Sequence, residues 1–171
     1  LAVMTVLSYW LRTQALWSKF WIDEGISVGI AHHGFLAIPG LLQQDGAPPF
    51  YYMLLHVWMQ IAGGDGEART HMLSVIAAVA AVPAAWWWGR RLFGTASGWA
   101  SAALIATLPF LTYYAQETRM YALVVLFGTM ASGAFATAFV LRRRRALPVF
   151  VLFGVLMPYS HNWGLFMLVG L

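Results

Sequence analysis

The chain has 171 residues, of which 61% are hydrophobic and only 9% are charged. Ordinary soluble domains carry roughly a quarter charged residues, and a soluble chain of this length could not bury so much apolar surface in one core. We therefore exclude the soluble and disordered classes and predict an all-α, polytopic transmembrane helical bundle with the bilayer as its solvent.

The formal net charge of +4 and the absence of cysteine narrow the function classes further. Arg142 to Arg145 form one run between two apolar stretches, and Arg90 and Arg91 end a third. Arginines in such places mark the cytoplasmic face of a membrane protein and attract anionic headgroups. We predict membrane lipids and no nucleic acid as partners. Without cysteine, neither a disulfide nor a thiolate metal site can form.

Apolar stretches in chain order predict about five to six spans, since a spanning helix needs about 20 mostly apolar residues. The predicted spans are 70–89, 97–115, 121–141 and the shorter 146–160, with truncated spans at 1–11 and 163–171. Because the chain begins and ends inside apolar sequence, we expect residues 1–171 to be a single transmembrane domain, the N-terminal part of a longer protein. Residues 48–62 are too short to cross and predict an interfacial helix.

The arginine signals also orient these spans. With the arginines inside, residues 12–69 form an extracytoplasmic loop with interfacial helices, and 113–120 lie on the same outer side. Those two loops hold every acidic residue of the chain, namely Asp23, Glu24, Asp45, Asp65, Glu67 and Glu117, and His161 falls on the same side. We expect ionisable groups gathered at one membrane face to form a site.

The first candidate is the adjacent pair Asp23 and Glu24, which follows two tryptophans that can anchor the backbone at headgroup level. A carboxylate held there can deprotonate a hydroxyl, and Asp23 can bind a divalent cation such as Mg²⁺ or Mn²⁺. The alternative is structural: Asp23 caps an interfacial helix and Glu24 complements its dipole. The pair by itself favours that alternative.

The second candidate is the segment 113–123, where Gln116, Glu117, Arg119 and Tyr121 interrupt otherwise apolar sequence. Arg119 can bind a phosphate through two parallel hydrogen bonds, with Glu117 orienting it or contacting an acceptor. A local Glu–Arg pair that finishes a tight turn is the structural alternative. Ionisable groups at a membrane edge favour the functional interpretation.

Three further segments supply weaker candidates for substrate binding. Pro48 fixes the entry of the short helix, where Tyr51 and Tyr52 offer hydroxyls beside stacking rings, although aromatic residues at an interface are more often anchors. Arg69 stands at the mouth of a helix and could neutralise a phosphate. His161 could donate a hydrogen bond or a proton. Arg69 and His161 could equally be interface residues that take no part in a reaction.

Taken in order, these motifs resemble the polytopic glycosyltransferases of the C-type fold, and most closely the bacterial relatives of the protein O-mannosyltransferases and the aminoarabinose lipid A transferases. The resemblance rests on several elements in sequence: Phe20-Trp21-Ile22-Asp23-Glu24, Ala47-Pro48-Pro49-Phe50-Tyr51-Tyr52, Glu67…Arg69, Gly89-Arg90-Arg91-Leu92-Phe93-Gly94, Gln116-Glu117-Thr118-Arg119-Met120-Tyr121-Ala122-Leu123 and Tyr159-Ser160-His161. The chain departs from the family at Ala47, where a histidine is usual.

The resemblance implies an integral-membrane glycosyltransferase that moves a sugar from a polyprenyl-phosphate donor to an acceptor hydroxyl on a lipid, glycan or protein. It implies Asp23 as general base or as a metal and acceptor ligand, with Glu24 beside it. Glu117 and Arg119 would face the same cavity, at the phosphate of the donor. The expected location is a cell membrane, the bacterial inner membrane, with an extracytoplasmic active site.

Two other functions stay open at the level of sequence. A transporter or flippase for a lipid-linked substrate would also gather ionisable residues in a membrane cavity, but near mid-membrane rather than at span ends. A non-catalytic membrane scaffold would use Asp23 and Glu24 only as a helix cap.

Overall fold

The computed structural model describes residues 1–43 and 46–171, and all regular elements within these ranges are helical. The α-helices are α1 (Ala2–Arg12), α2 (Ile22–Ala31), α3 (Ile38–Leu42), α4 (Phe50–Ala62), α5 (Glu67–Phe93), α6 (Thr95–Thr107), α7 (Pro109–Ala115), α8 (Tyr121–Phe135), α9 (Leu147–Ser160) and α10 (Trp163–Val169). A π-helical turn, Ala136–Val140, extends α8, and a 3-10 turn, Arg144–Ala146, precedes α9. The all-α prediction is confirmed for the described residues.

Two helices are long and apolar enough to cross a membrane: α5, with 27 residues, and α8 with its π-helical turn, with 20. They lie side by side and run in the same direction. At their starts, Thr118 donates a hydrogen bond to Thr70 (2.7 Å). Towards their ends, the Trp88 indole donates to the sulfur of Met130 (3.4 Å).

This parallel arrangement separates the charges of the described residues. The end where α5 and α8 begin carries Asp23, Glu24, Glu67 and Glu117, and we call it the acidic end. The opposite end, where both helices finish, carries Arg90, Arg91 and Arg142 to Arg145, and we call it the arginine end. Asp65, just before α5, also lies at the acidic end, and Asp45 lies outside the described residues.

The other predicted spans form shorter helices. Residues 97–115 divide into α6, with 13 residues, and α7, with 7. The division falls at Leu108, whose extended backbone (ψ 115°) precedes Pro109, as expected for the residue before a proline. Helix α9 has 14 residues, or about 21 Å against a hydrocarbon core of about 30 Å. The helices therefore provide two candidate spans, and the arrangement of five or six spans stays a prediction.

The division between α6 and α7 is covered by Arg12, which is fully buried at the end of α1. In a continuous helix the Ile105 carbonyl would accept from the N–H of residue 109, but a proline has none. Arg12 donates instead to the carbonyls of Ile105 (2.6 Å) and Ala106 (3.0 Å). Gln116, just after α7, donates to the Leu11 carbonyl (3.2 Å). Helix α1 is thus tied to both ends of α7.

Residues between α1 and α5 pack onto the acidic end. One hydrophobic cluster joins the inner faces of α2 to α5, α7, α8 and α9, and its buried members include Val28, Ile38, Tyr51, Leu55, Leu73, Leu111, Leu123 and Met157. The short helix predicted in 48–62 is α4, which begins after Pro49 and ends at Gly63 in a left-handed conformation (φ +73°). This packing fixes α2, and with it the two adjacent carboxylates, against the start of α5.

Candidate active site

Helix α2 starts in a way that separates its two carboxylates. Trp21 is the N-cap, and Glu24, three residues on, accepts a hydrogen bond from the Trp21 amide (3.2 Å). This is the Glu half of a capping box; the indole of Trp21 has no acceptor, and the Glu24 amide donates to the Trp21 carbonyl instead (3.1 Å). Glu24 points inward and is 2% exposed, whereas the side chain of Asp23 is 41% exposed. The predicted structural role of capping therefore belongs to Glu24, and the accessible carboxylate is Asp23.

Glu24 is held by three N–H groups from three segments of the chain. Its Oε1 accepts from the Thr118 amide (2.6 Å) and lies 2.7 Å from Nε2 of His71. The Trp21 amide binds its other oxygen. On the far side of the imidazole, Nδ1 of His71 donates to the Leu16 carbonyl (2.8 Å). Nε2 of the same ring faces Glu24, so the two side chains form a buried carboxylate–histidine pair.

The pKa of Glu24 reflects this environment. Burial by itself raises the pKa of the carboxyl group, but the hydrogen bonds from His71, Thr118 and Trp21 outweigh burial, and the pKa lies below its usual value. Glu24 stays ionised although it is buried. The contacts of Glu24 join α2 to the start of α5 and to the loop before α8. The Glu24–His71 pair therefore fixes the positions of Asp23 on α2 and of Arg119 in that loop.

Asp23 and Arg119 meet beside this buried pair. Nη2 of Arg119 lies 3.5 Å from Oδ2 of Asp23, and Nη1 is 3.4 Å from both the Asp23 carbonyl and the Ser27 hydroxyl. The guanidinium also stands over the ring of Tyr121, 5.7 Å from its centroid. Burial lowers the pKa of Arg119, but Tyr121, Tyr52 and Asp23 together raise it above the usual value. Arg119 is therefore a permanent cation beside an accessible carboxylate.

Three buried polar atoms around this ion pair have no hydrogen bond of normal geometry within the described residues. They are Nε of Arg119, the Tyr51 hydroxyl and Oε2 of Glu117. Burial raises the pKa of Tyr51, which lies near Ser74 and Arg119. Tyr51 and Glu117 both interact electrostatically with Arg119, so three of the six unpaired buried atoms of the described residues belong to one group, and the others lie in Arg12, Trp86 and Thr137. Most buried polar groups in folded proteins are paired, so this group is a candidate functional site.

The remaining predicted residues divide into two sets. Tyr52 is buried among the same groups and acts electrostatically on Arg119. The rings of Tyr121 and His161 are 5.6 Å apart, and burial together with Arg119 lowers the pKa of His161. Three other predicted residues lie apart from this group: Gln116 is bound to Leu11, Arg69 is exposed against Gly64, and Pro48 lines a separate cavity of about 420 Å³.

Several residues that build the site were not predicted from the sequence. His71 is the most important, and it lies in the first turns of an apolar helix, close in sequence to Glu67 and Arg69. An ionisable residue inside a stretch long enough to span a membrane is a signal that could have identified it. Ser27, Thr70 and Thr118 carry no comparable signal, since small hydroxyl residues are common in membrane helices.

The donor set does not fit a divalent cation bound at Asp23. In the part of the chain that the structure describes, no group of three or more His, Cys, Asp or Glu side chains is placed to hold a metal ion. The nearest charged partner of Asp23 is the guanidinium of Arg119. A divalent cation such as Mg²⁺ requires several oxygen ligands at once, and the described residues around Asp23 do not supply them.

The pKa of Glu117 shifts in the opposite direction to that of Glu24, and the shift gives a prediction for stability. Burial raises the pKa of Glu117, so its stabilising contribution is full below the unfolded value of about 4.3 and is lost as the pH rises through the folded value. Glu117→Gln should therefore raise stability at pH 7 by about 1 kcal/mol, or roughly 2–4 °C in Tm. Thermal unfolding in detergent between pH 4 and 8 measures this, and a lower Tm for the variant would contradict it.

Comparison of the chain with protein-family models, with curated proteins and with solved structures finds no match.

Proposed function

We propose that the protein is an integral-membrane glycosyltransferase that moves a sugar from a polyprenyl-phosphate carrier to an acceptor hydroxyl. The observation that carries the proposal is the accessible carboxylate of Asp23 beside the partly buried cation Arg119, with polar atoms of Arg119, Tyr51 and Glu117 that lack a partner among the described residues. Sugar transfer from a lipid phosphate requires one group that accepts a proton and one that stabilises phosphate charge. Asp23 and Arg119 are groups of these two kinds, 3.5 Å apart.

In this reaction Asp23 accepts the proton of the acceptor hydroxyl as its oxygen attacks the anomeric carbon. The new glycosidic bond forms while the bond from that carbon to the phosphate oxygen breaks, and the polyprenyl phosphate leaves with the electron pair. Arg119 stabilises the charge on the leaving phosphate, and its Nε is a donor without a partner among the described residues. Tyr51 and Glu117 contact the sugar or the acceptor. Glu24 and His71 keep α2 in position against α5 and the loop before α8.

The proposed location is a cell membrane, with five or six spans and the acidic end on the extracytoplasmic side. Two helices with the length and composition of spans support it. Six of the nine arginines, Arg90, Arg91 and Arg142 to Arg145, lie at the opposite end, which agrees with the rule that basic residues stay in the cytoplasm. A carrier lipid in the same membrane would bring its phosphate to the headgroup level, where α5 and α8 begin.

Profiling of cells that lack the gene tests the proposal. We expect the polyprenyl-phosphate sugar to accumulate and the glycosylated acceptor to disappear, as measured by mass spectrometry of lipid extracts and glycans. Re-expression of the protein should reverse both changes. Unchanged lipid-carrier and glycan profiles would contradict a transferase.

A second measurement separates a transferase from a flippase, which would produce similar profiles in intact cells. Membranes of the deletion strain are permeabilised with detergent and supplied with the lipid-linked sugar and the acceptor, so that no substrate has to cross the bilayer. Transfer should remain absent if the protein is the transferase. If permeabilisation restores transfer without the protein, a flippase is the correct assignment.

A further inference from the structure

A second charged site lies at the arginine end, remote from the acidic residues. Arg91 at the end of α5 and the run Arg142 to Arg145 line one cavity of about 570 Å³, which we call the basic pocket. A neighbouring cavity of about 540 Å³ shares Arg142 and Arg144 with it. Five guanidinium groups from two separate chain segments therefore surround one space.

The backbone fixes the arginine run in this position. After the π-helical turn, the Leu141 amide donates to the Ala136 carbonyl and the Arg143 amide to the Thr137 carbonyl (both 2.9 Å). Between them Arg142 adopts a left-handed conformation (φ +54°), which is uncommon for a residue with a side chain. The 3-10 turn that follows is closed by the Ala146 amide on the Arg143 carbonyl (3.1 Å). The run is therefore a tight reversal that gathers its side chains.

The charge of the basic pocket is not balanced within the described residues. Four ion pairs form among the described residues, and their acids are Asp23, Glu24, Asp65 and Glu67. None of the four involves an arginine of the basic pocket. Helix α5, which separates the two ends, has 27 residues and is about 40 Å long. At that distance the acids cannot offset five positive charges, since screening in salt acts over about 8–10 Å.

The surroundings of the basic pocket are apolar. Its neighbouring cavity is also lined by Ala138, Phe139 and Leu147. Phe93, which follows Arg91 closely, is 78% exposed, and Val140, which precedes the run, is 70% exposed. A soluble anion would use the guanidinium groups alone, whereas a ligand with an anionic head and hydrocarbon chains would use both surfaces.

We propose that the basic pocket binds the phosphate headgroup of an anionic membrane lipid, whose acyl chains lie along Phe139 and Leu147. Guanidinium groups bind phosphate oxygens through paired parallel hydrogen bonds, which an ammonium group cannot reproduce. This site goes beyond the proposed sugar transfer and uses none of its residues. It rests only on the membrane location in that proposal.

The test titrates phosphatidylglycerol into the detergent-solubilised protein and follows thermal unfolding through tryptophan fluorescence. We expect a rise in Tm that saturates with the anionic lipid and does not occur with phosphatidylcholine. The variant Arg91→Lys/Arg144→Lys keeps the positive charge, and with it the topology signal, but loses the forked donors. Its apparent affinity for phosphatidylglycerol should be about tenfold weaker.

Arg90→Lys is the matched control, because Arg90 lies beside Arg91 but stacks on Trp86 (5.1 Å) and does not line the basic pocket. It should bind phosphatidylglycerol like the wild type. Equal weakening in this control would overturn the proposal in favour of general surface attraction. Glycerol phosphate is titrated in parallel, and protection by this soluble headgroup equal to that by the lipid would overturn it in favour of a free phosphate site. Because no donor sugar is present, this result is independent of transferase activity.

Discussion

Asp23→Asn is expected to lower sugar transfer by about 10²- to 10⁴-fold, the range that a general base contributes. The side chain is 41% exposed and, within residues 1–43 and 46–171, forms one ion pair, with Arg119 at 3.5 Å. The amide keeps the size of the carboxylate but cannot accept the hydroxyl proton. The fall should therefore appear in kcat rather than in KM. The assay is transfer from a radiolabelled polyprenyl-phosphate sugar in membranes that contain equal amounts of each protein.

Asp65→Asn provides the control for this prediction. Asp65 stands just before α5 at the acidic end and binds His32 (2.7 Å), with its side chain 54% exposed. It carries the same charge as Asp23 but has no contact with Arg119 among those described. Transfer by this variant should equal that of the wild type. Full activity in Asp23→Asn, with normal insertion of both variants, would contradict a general base at position 23.

Glu24→Ala should destabilise the folded protein by about 3–5 kcal/mol, the cost of removing one partner of a buried ion pair. The change leaves the Thr118 and Trp21 amides and the His71 ring without their acceptor, at a residue that is 2% exposed. The free energy of unfolding is measured in detergent micelles above pH 6. At that pH the contribution of Glu24 is complete, because the contribution is lost only as the pH falls through its lowered pKa.

A double-mutant cycle with His71→Ala tests whether the two side chains act as one unit. The cost of the double variant should be well below the sum of the single costs, since each single change already removes the shared interaction. Glu67→Ala is the matched control, because that carboxylate pairs with Lys19, which is 90% exposed, and should have little effect. Additive costs for Glu24 and His71 would refute the buried pair.

Measurements of stability and of activity on the Glu24 and Glu117 variants distinguish the roles of the two side chains. Loss of the Glu24 side chain should lower stability, whereas neutralising Glu117 should raise stability while weakening any activity that uses its carboxylate. Groups held unpaired at functional sites often cost stability in this way.

The sequence predicts well which residues come together when charge determines their placement. Arginine runs at two span ends assign residues 12–69 and 113–120 to the same side, and the structure brings Asp23, Glu24, Glu117 and Arg119 to the same end of α5. The short helix α4 is predicted from the two prolines that precede it and from the length of its apolar stretch. Both predictions rest on patterns that act within one segment or over whole loops.

The details of the site depend on tertiary packing and could not be predicted. The burial of Glu24 beside the exposed Asp23 follows from the rotation of α2, which adjacent acids in a sequence do not reveal. His71 pairs with a residue 47 positions earlier. Gln116 is directed to Leu11, because the end of α1 lies beside it, rather than to the site of Arg119. Pattern and spacing carry no information on such contacts.

The hydrogen bonds of α1 have a consequence for any shortened form of the protein. Arg12 donates to the Ile105 carbonyl, which Pro109 leaves without its helical donor, and to the neighbouring Ala106 carbonyl. Helix α1 also accepts a hydrogen bond from Gln116, one residue before Glu117. Helix α1 therefore stabilises the position of the segment that carries Glu117 and Arg119. A protein that starts after residue 12 would retain every candidate catalytic side chain and still lose the alignment of Arg119 with Asp23.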